Sequence, residues 1–216
     1  MKQYRAYIFD FDGVIKDSVR VKSDAFVLLY ASEGEEFQKR VEEYHLAHGG
    51  ISRYEKFRLW NDWLGRSTSN EAIEELAQRF AQLVIDNVVS APDVPGALEA
   101  IAKAAESSAM SFIATGTPDN EMEEILSRLK LVPSFDEVHG SSRKKPEIVR
   151  DLLGRHSLRP SDILFIGDAQ TDYLASVEFN LDFYLRETDY NSKWFQEKEG
   201  VTFRSEDLLL LTTIMS

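Results

Sequence analysis

The chain has 216 residues, 43% hydrophobic and 29% charged, with only 11 glycines and 6 prolines, a composition that excludes disordered, collagen-like and repeat classes. Its formal net charge of -12 provides no electrostatic pull toward nucleic-acid phosphates or anionic membranes. The absence of cysteine removes disulfide scaffolds, thiol catalysis and Cys-ligated zinc together. A chain this long buries about 70% of its unfolded surface and needs no covalent staple, so one domain, or a core domain with an insertion, is expected.

In chain order, the first feature is Ala6-Tyr7-Ile8-Phe9, an apolar run ending at Asp10. Two more such runs follow: Met110-Ser111-Phe112-Ile113-Ala114 before Thr115, and Ile163-Leu164-Phe165-Ile166 before Gly167-Asp168. Short runs without polar alternation predict strands buried on both faces, as in a parallel sheet. From 17 to 90 the pattern is helical throughout, with apolar residues such as Ile73, Leu76, Phe80, Leu83 and Val84 at helical spacing. Ser52-Arg53-Tyr54-Glu55 and Thr68-Ser69-Asn70-Glu71 both fit helix-opening capping boxes. Phe57, Trp60 and Trp63 form an aromatic cluster expected in the core of this segment. Pro92 and Pro95-Gly96 mark the return to helix–strand alternation. Helices are then expected over 97–106, 121–129, 146–156 and 173–179, a fourth strand over 181–185, and a closing helix or turn at 208–211. The fold class is α/β, a Rossmann-like parallel sheet with an all-helical insertion after its first strand. Ligands of such sheets bind beyond the carboxyl ends of the strands.

Chemistry-bearing residues sit at those ends. Asp10 and Asp12 flank Phe11, and strand alternation turns both carboxylates to one side, with Gly13 allowing a sharp turn after them. Such a pair suits a nucleophile and a general acid. Thr115-Gly116-Thr117-Pro118 offers a hydroxyl and free N–H groups to an anion, or simply a helix start. Lys144-Lys145-Pro146 opens another helix. Asp168 and Asp172, with Asp10, supply the hard oxygens that Mg²⁺ prefers. Each motif alone also fits a turn or a helix cap; their order and placement together do not.

Acid pair, Thr-Gly, Lys-Pro and Gly-Asp-x-x-x-Asp, in that order over nearly the whole chain, resemble the haloacid dehalogenase superfamily. The resemblance implies a catalytic core of residues 1–15 and 92–216 carrying a helical cap of residues 16–91. It implies Asp10 as the nucleophile that becomes an aspartyl-phosphate, and Asp12 as the general acid and then the base. Thr115 and Gly116 would hold the phosphoryl group, with Lys145, rather than Lys144, bridging it to Asp10. Asp10, Asp12 (through its carbonyl), Asp168 and Asp172 would place Mg²⁺. The second aspartate favours phosphoryl chemistry over dehalogenation, because displacing halide needs no proton donor.

Within the insertion, the segment from His45 to Arg53, with Gly49-Gly50 at its centre, is similar to the substrate loop of β-phosphoglucomutases. This makes Arg53 a substrate-contact candidate, or a first-turn residue of a capped helix. The histidine that those mutases carry on the first cap helix is Lys22 here, which tips the expectation toward a phosphatase. His139 and His156 lie outside every motif. The sequence therefore predicts a Mg²⁺-dependent phosphatase of a small phosphorylated metabolite, a sugar phosphate or similar. The alternatives are a phosphosugar mutase with the same nucleophile and a non-catalytic phosphometabolite-binding protein. With strand-like residues starting at Tyr7, leaving no room for a signal peptide, and no run of roughly 18 apolar residues, the expected location is the cytoplasm.

Overall fold

A computed structural model describes residues 2–215. Its sheet has six strands, β1 (Ala6–Phe9), β2 (Met110–Ala114), β3 (Glu137–His139), β4 (Ile163–Gly167), β5 (Asp182–Arg186) and β6 (Phe203–Ser205), in the order β3-β2-β1-β4-β5-β6. All neighbours run parallel. In the centre, Phe9 pairs with Ile113 of β2 and Ile166 of β4. The three strands therefore finish side by side, with Asp10 level with Ala114 and Gly167, and Thr115 and Asp168 one residue beyond.

The lack of polar alternation has a direct cause in the packing. Ala6, Ile8, Phe112 and Phe165 point to one side, against Ile148 and Leu152 of α7 (Lys145–Arg155) and Ala175 of α8 (Gln170–Glu178). Tyr7, Phe9, Ile113 and Ile166 point to the other, against Ile101 of α5 (Ala97–Glu106) and Met122 of α6 (Asp119–Leu129). Both faces are covered, so every position in β1 and β4 is buried.

Between β1 and α5 lie α1 (Val19–Leu29), α2 (Glu35–Ala47), α3 (Arg53–Trp63) and α4 (Asn70–Ser90), with no strand among them. Their shared core is aromatic. Phe26 stacks on Phe80 at 4.0 Å and meets Phe57 and Trp60 edge-on at 5.6 and 5.0 Å. Trp60 and Phe57 are fully buried, while Trp63 lies at the margin under the Arg40 guanidinium. The segments entering and leaving these helices are bonded to each other: Asp17 N–H donates to the Pro92 carbonyl, Val94 N–H to that of Ile15, and Lys16 pairs with Asp93 at 2.8 Å.

The expected elements match the structure closely, with small shifts that have local causes. Ser52 opens α3 by accepting from Tyr54 N–H. Helix α4 is capped by Ser69, which accepts from Ala72 N–H, and not by Thr68 as the capping-box pattern predicts. Helix α8 starts at Gln170, before the expected position 173, because the Asp172 carboxylate accepts the Ala169 N–H and organises its first turn. A short α9 (Ser192–Phe195) precedes β6, and α10 (Leu209–Ile214) closes the chain. Strands β3 and β6 have no counterpart in the sequence reading. Each is three residues long, on an edge, and only partly buried, so neither has an apolar run to announce it.

Candidate active site

Asp10 continues β1 for one residue, its N–H donating to the Ile166 carbonyl at 2.9 Å. This fixes the backbone rigidly and leaves the buried carboxylate at the sheet edge. One oxygen accepts from Phe11 N–H at 2.7 Å; the other meets Lys145 Nζ at 2.8 Å. Lys145, the first residue of α7, also bonds Asp172. Asp10, Asp168 and Asp172 each place an oxygen within 4.8 Å of the others. Gly13, at φ +77°, is needed beside them, because a Cβ there would overlap the Asp168 carboxylate.

Three buried carboxylates share one lysine, and the electrostatics show the deficit. Burial pushes Asp10 up to about 7, with Asp172 adding to the rise and Lys145 opposing it. Burial, with Asp10 and Asp172, likewise raises Asp168 well above the carboxylate range. Asp10 and Asp172 together hold Lys145 above its ordinary value despite burial. An array of hard oxygens short of positive charge fits a divalent cation. Asp10, Asp168 and Asp172 could hold such an ion, Asp172 being engaged also with Lys145 and Ala169 N–H.

Asp12 lies apart from that triad through its side chain. It accepts from the Ser18 hydroxyl at 2.6 Å, from Lys22 Nζ at 2.5 Å and from the Thr117 hydroxyl at 3.0 Å. Burial acts to raise it, but Lys22 and the two hydroxyls outweigh burial and hold it below the usual carboxylate range. Thr117 thus binds the acid instead of capping α6, whose N-cap is Pro118. Thr115 is buried at the end of β2 and its hydroxyl accepts from Thr117 N–H. Gly116 follows it at the wall of a cavity of about 490 Å³.

That cavity lies between the sheet edge and the helices. Asp10, Asp12 and Asp168 line it from one side, and Lys22, His45, Arg53 and Lys56 from the other. The Gly49-Gly50 turn lies against the start of α8: Thr171 donates to the Gly49 carbonyl and Gln170 to that of Ala47. Gly50, at φ +73°, leaves no room for a side chain beside Thr171.

With this geometry in place, comparison with known proteins is informative. Residues 7–185 match the family described as haloacid dehalogenase-like hydrolase. The chain belongs to that family. Hexitol phosphatase B of Escherichia coli K12 is 26% identical over 183 residues, 81% of this chain and 80% of that protein. Among solved structures, a predicted phosphoglycolate phosphatase of Haemophilus somnus superposes with a TM-score of 0.78 at 17% identity, each chain fully covered. A β-phosphoglucomutase of Clostridium difficile gives 0.74 at 20% identity, over 97% of this chain and 93% of that one.

As a haloacid dehalogenase-like hydrolase, the protein has brought all its sequence-predicted core residues to one edge. Arg53 reaches the cavity too, but its guanidinium makes two bonds, 2.8 and 2.6 Å, to Glu121 on α6 and lies over the Phe80 ring. The side chain predicted to touch substrate therefore joins the helical layer to the sheet layer. His139 and His156 both bond Glu137 away from the cavity. Sequence reasoning missed Tyr190, whose hydroxyl donates to Asp168 at 3.0 Å, and Asn191, whose amide donates to the Asp168 carbonyl at 2.7 Å. Their only signal was position after a predicted strand. It also missed Lys56 and the partner of Arg53. Among the described residues, no helix is long and apolar enough to cross a membrane.

Proposed function

We propose that this haloacid dehalogenase-like hydrolase is a Mg²⁺-dependent phosphatase of small phosphorylated metabolites, working in the cytoplasm through an aspartyl-phosphate on Asp10. The observation that carries the reading is the separation of two aspartates two residues apart. Asp10 faces the under-neutralised carboxylate cluster and Lys145, whereas Asp12 faces proton-donating partners.

In the first half-reaction, an Asp10 oxygen attacks phosphorus, the phosphorus–ester oxygen bond breaks, and the leaving oxygen takes the Asp12 proton. Lys22 holds free Asp12 ionised, so Asp12 takes up one proton from solvent as the arriving phosphate dianion raises its proton affinity, as a nearby negative charge does. In the second half-reaction Asp12 takes a proton from water, which attacks the aspartyl-phosphate and releases inorganic phosphate. Thr115 and the Gly116 N–H hold the transferring group, and Lys145 neutralises it beside Asp10. Mg²⁺, when bound by Asp10, Asp168 and the Asp12 carbonyl with Asp172 in support, would offset the charge spread over the phosphoryl oxygens. Residues 16–91 act as a cap, with Arg53 in the cavity wall. Their fit over the site excludes water and bulky phosphoproteins, and the cavity is of the size that takes small ligands.

The reading is supported by the family and by the phosphatase names among its relatives. Its test is inorganic phosphate release from a panel of phosphorylated metabolites with and without Mg²⁺, using Asp10→Asn as control. Mg²⁺-dependent release absent from the variant is expected. Interconversion of phosphate positions without net release would overturn hydrolysis in favour of a mutase, and tight binding with neither would leave a binding protein.

A further inference from the structure

The buried cations divide unevenly. Among the described residues, Lys16 pairs with Asp93, Lys22 with Asp12, Arg53 with Glu121, Lys145 with Asp10 and Asp172, and Arg186 with Asp17. Lys56 is 2% exposed, deeper than any of these, and has no carboxylate. Its Nζ lies 2.8 Å from His45 Nδ1 and over the Phe26 ring. The other nitrogen of His45 meets the Val19 carbonyl at 3.4 Å, which places the ring proton there and leaves Nδ1 as an acceptor for Lys56. Burial and Lys56 itself keep His45 well below its ordinary value, so it contributes no charge.

An ammonium buried against a neutral imidazole and an aromatic face is costly unless an anion completes it. Among the described residues no carboxylate bonds it. Asp12, whose charge acts on it, is already bonded to Lys22. What remains beside Lys56 is the cavity, which it lines together with His45 and, across from them, Asp10. One bond to His45 leaves the remaining Nζ hydrogens for that space. Lys56 also sits in the first turn of α3, where the helix dipole favours a negative group.

Resting on the phosphatase reading above, we propose that Lys56, held by His45, is the specificity residue for a carboxylate on the leaving-group part of the substrate. The substrate class is then a phosphorylated hydroxy acid instead of a neutral sugar or polyol phosphate. Burial and Lys22 together lower free Lys56 to about 7, the state of a cation awaiting its counter-ion; an arriving carboxylate restores its proton. Arg53 is not available for this task, because Glu121 neutralises it.

The test uses pairs of substrates of equal chain length that differ at one carbon, carboxylate against hydroxymethyl. Suitable pairs are 2-phosphoglycolate with ethylene glycol phosphate, 3-phosphoglycerate with glycerol 3-phosphate, and 6-phosphogluconate with glucitol 6-phosphate. The expected result is a kcat/KM at least about tenfold higher for the acid at the chain length that fits. In Lys56→Met that preference falls to within about twofold, so the loss is larger on the acid than on its alcohol partner. Equal or better turnover of the alcohols by the unaltered chain overturns the proposal while leaving the phosphatase reading intact, and this comparison does not depend on the variant folding. Phosphate release from none of the substrates defeats the phosphatase reading instead. The subsite is then read by calorimetric binding of the same pairs to Asp10→Asn, where tighter binding of the acid sustains it and equal binding overturns it.

Discussion

The two walls of the cavity are made differently. The sheet wall takes its residues from strand ends: Asp10, Thr115 and Asp168 lie within one residue of the same level because β1, β2 and β4 are in register, and their positions follow from backbone hydrogen bonding. The helical wall takes its residues from side-chain packing: Lys22, His45 and Lys56 come from three helices held together by aromatic contacts, Phe26 with Phe57, Trp60 and His45, and Tyr44 with Trp60. A wall set by backbone keeps its chemistry when neighbours change. A wall set by packing can alter its shape through any of several substitutions, which suits the substrate-selecting part proposed for it.

This contrast can be broken in four places. On the sheet wall, Asp10→Asn should cost more than about 10⁴-fold in phosphate release, as loss of a nucleophile does, with circular dichroism unchanged; a large loss of structure would mean the carboxylate holds the edge together. On the helical wall, Trp60→Ala should lower stability by about 3–5 kcal/mol through the cavity it leaves, read from the urea midpoint. A cost under about 1 kcal/mol would deny that the aromatic core sets this wall. Between the walls, Glu121→Gln strands the buried Arg53 guanidinium and should reduce kcat/KM about tenfold, about 1.4 kcal/mol. Adding Arg53→Met should cost less than the two separate losses combined; additive losses would show that the pair does not join the layers.

The last test concerns charge at the sheet edge. Asp10 is raised in the folded chain to about 7, so between its unfolded value near 4 and that pH the folded state binds the extra proton. Stability in chelator should therefore fall as pH rises from about 4 to 7 and level off above. Added Mg²⁺ should raise the melting temperature by more at pH 8 than at pH 5. A chelated chain whose melting temperature is flat across this range would mean that the acidic cluster is not short of positive charge.

The same contrast explains what the sequence disclosed. Buried central strands show as apolar runs, and their ends show as polar residues at fixed offsets, so Asp10, Asp12, Thr115, Lys145 and Asp168 were legible together. The helical nature of 17–90 was legible from periodicity, and Ser52 from its capping pattern. The partners of individual side chains were not. Whether Arg53 meets a substrate or Glu121 depends on how α3 lies over α6, a distance of 68 residues along the chain, and no local pattern encodes that. Lys56 reads as an ordinary helix-surface lysine until the packing of α1 and α2 around it is known. Tyr190 and Asn191 follow a strand too, but carry no motif, since a hydroxyl and an amide occur in any loop.

The paired crossings at residues 15–17 and 92–94 have a mechanical consequence. They lie immediately after the turn that carries Asp12, where Gly13 N–H donates to the Lys16 carbonyl and Asp12 bridges to Lys16. Any motion that carried α1 away from the sheet edge would take Ser18 and Lys22 with it, stripping Asp12 of two of its three partners while Thr117 stayed behind. On the proposed mechanism the proton-handling group is thus an interlock: two of its partners belong to the helical layer and one to the sheet layer, and the set is complete only while the two are shut. If Asp10 carries the phosphoryl group as proposed, an open molecule would let water reach it but offer no assembled base, and the phosphorylated state would be guarded by timing as well as by exclusion.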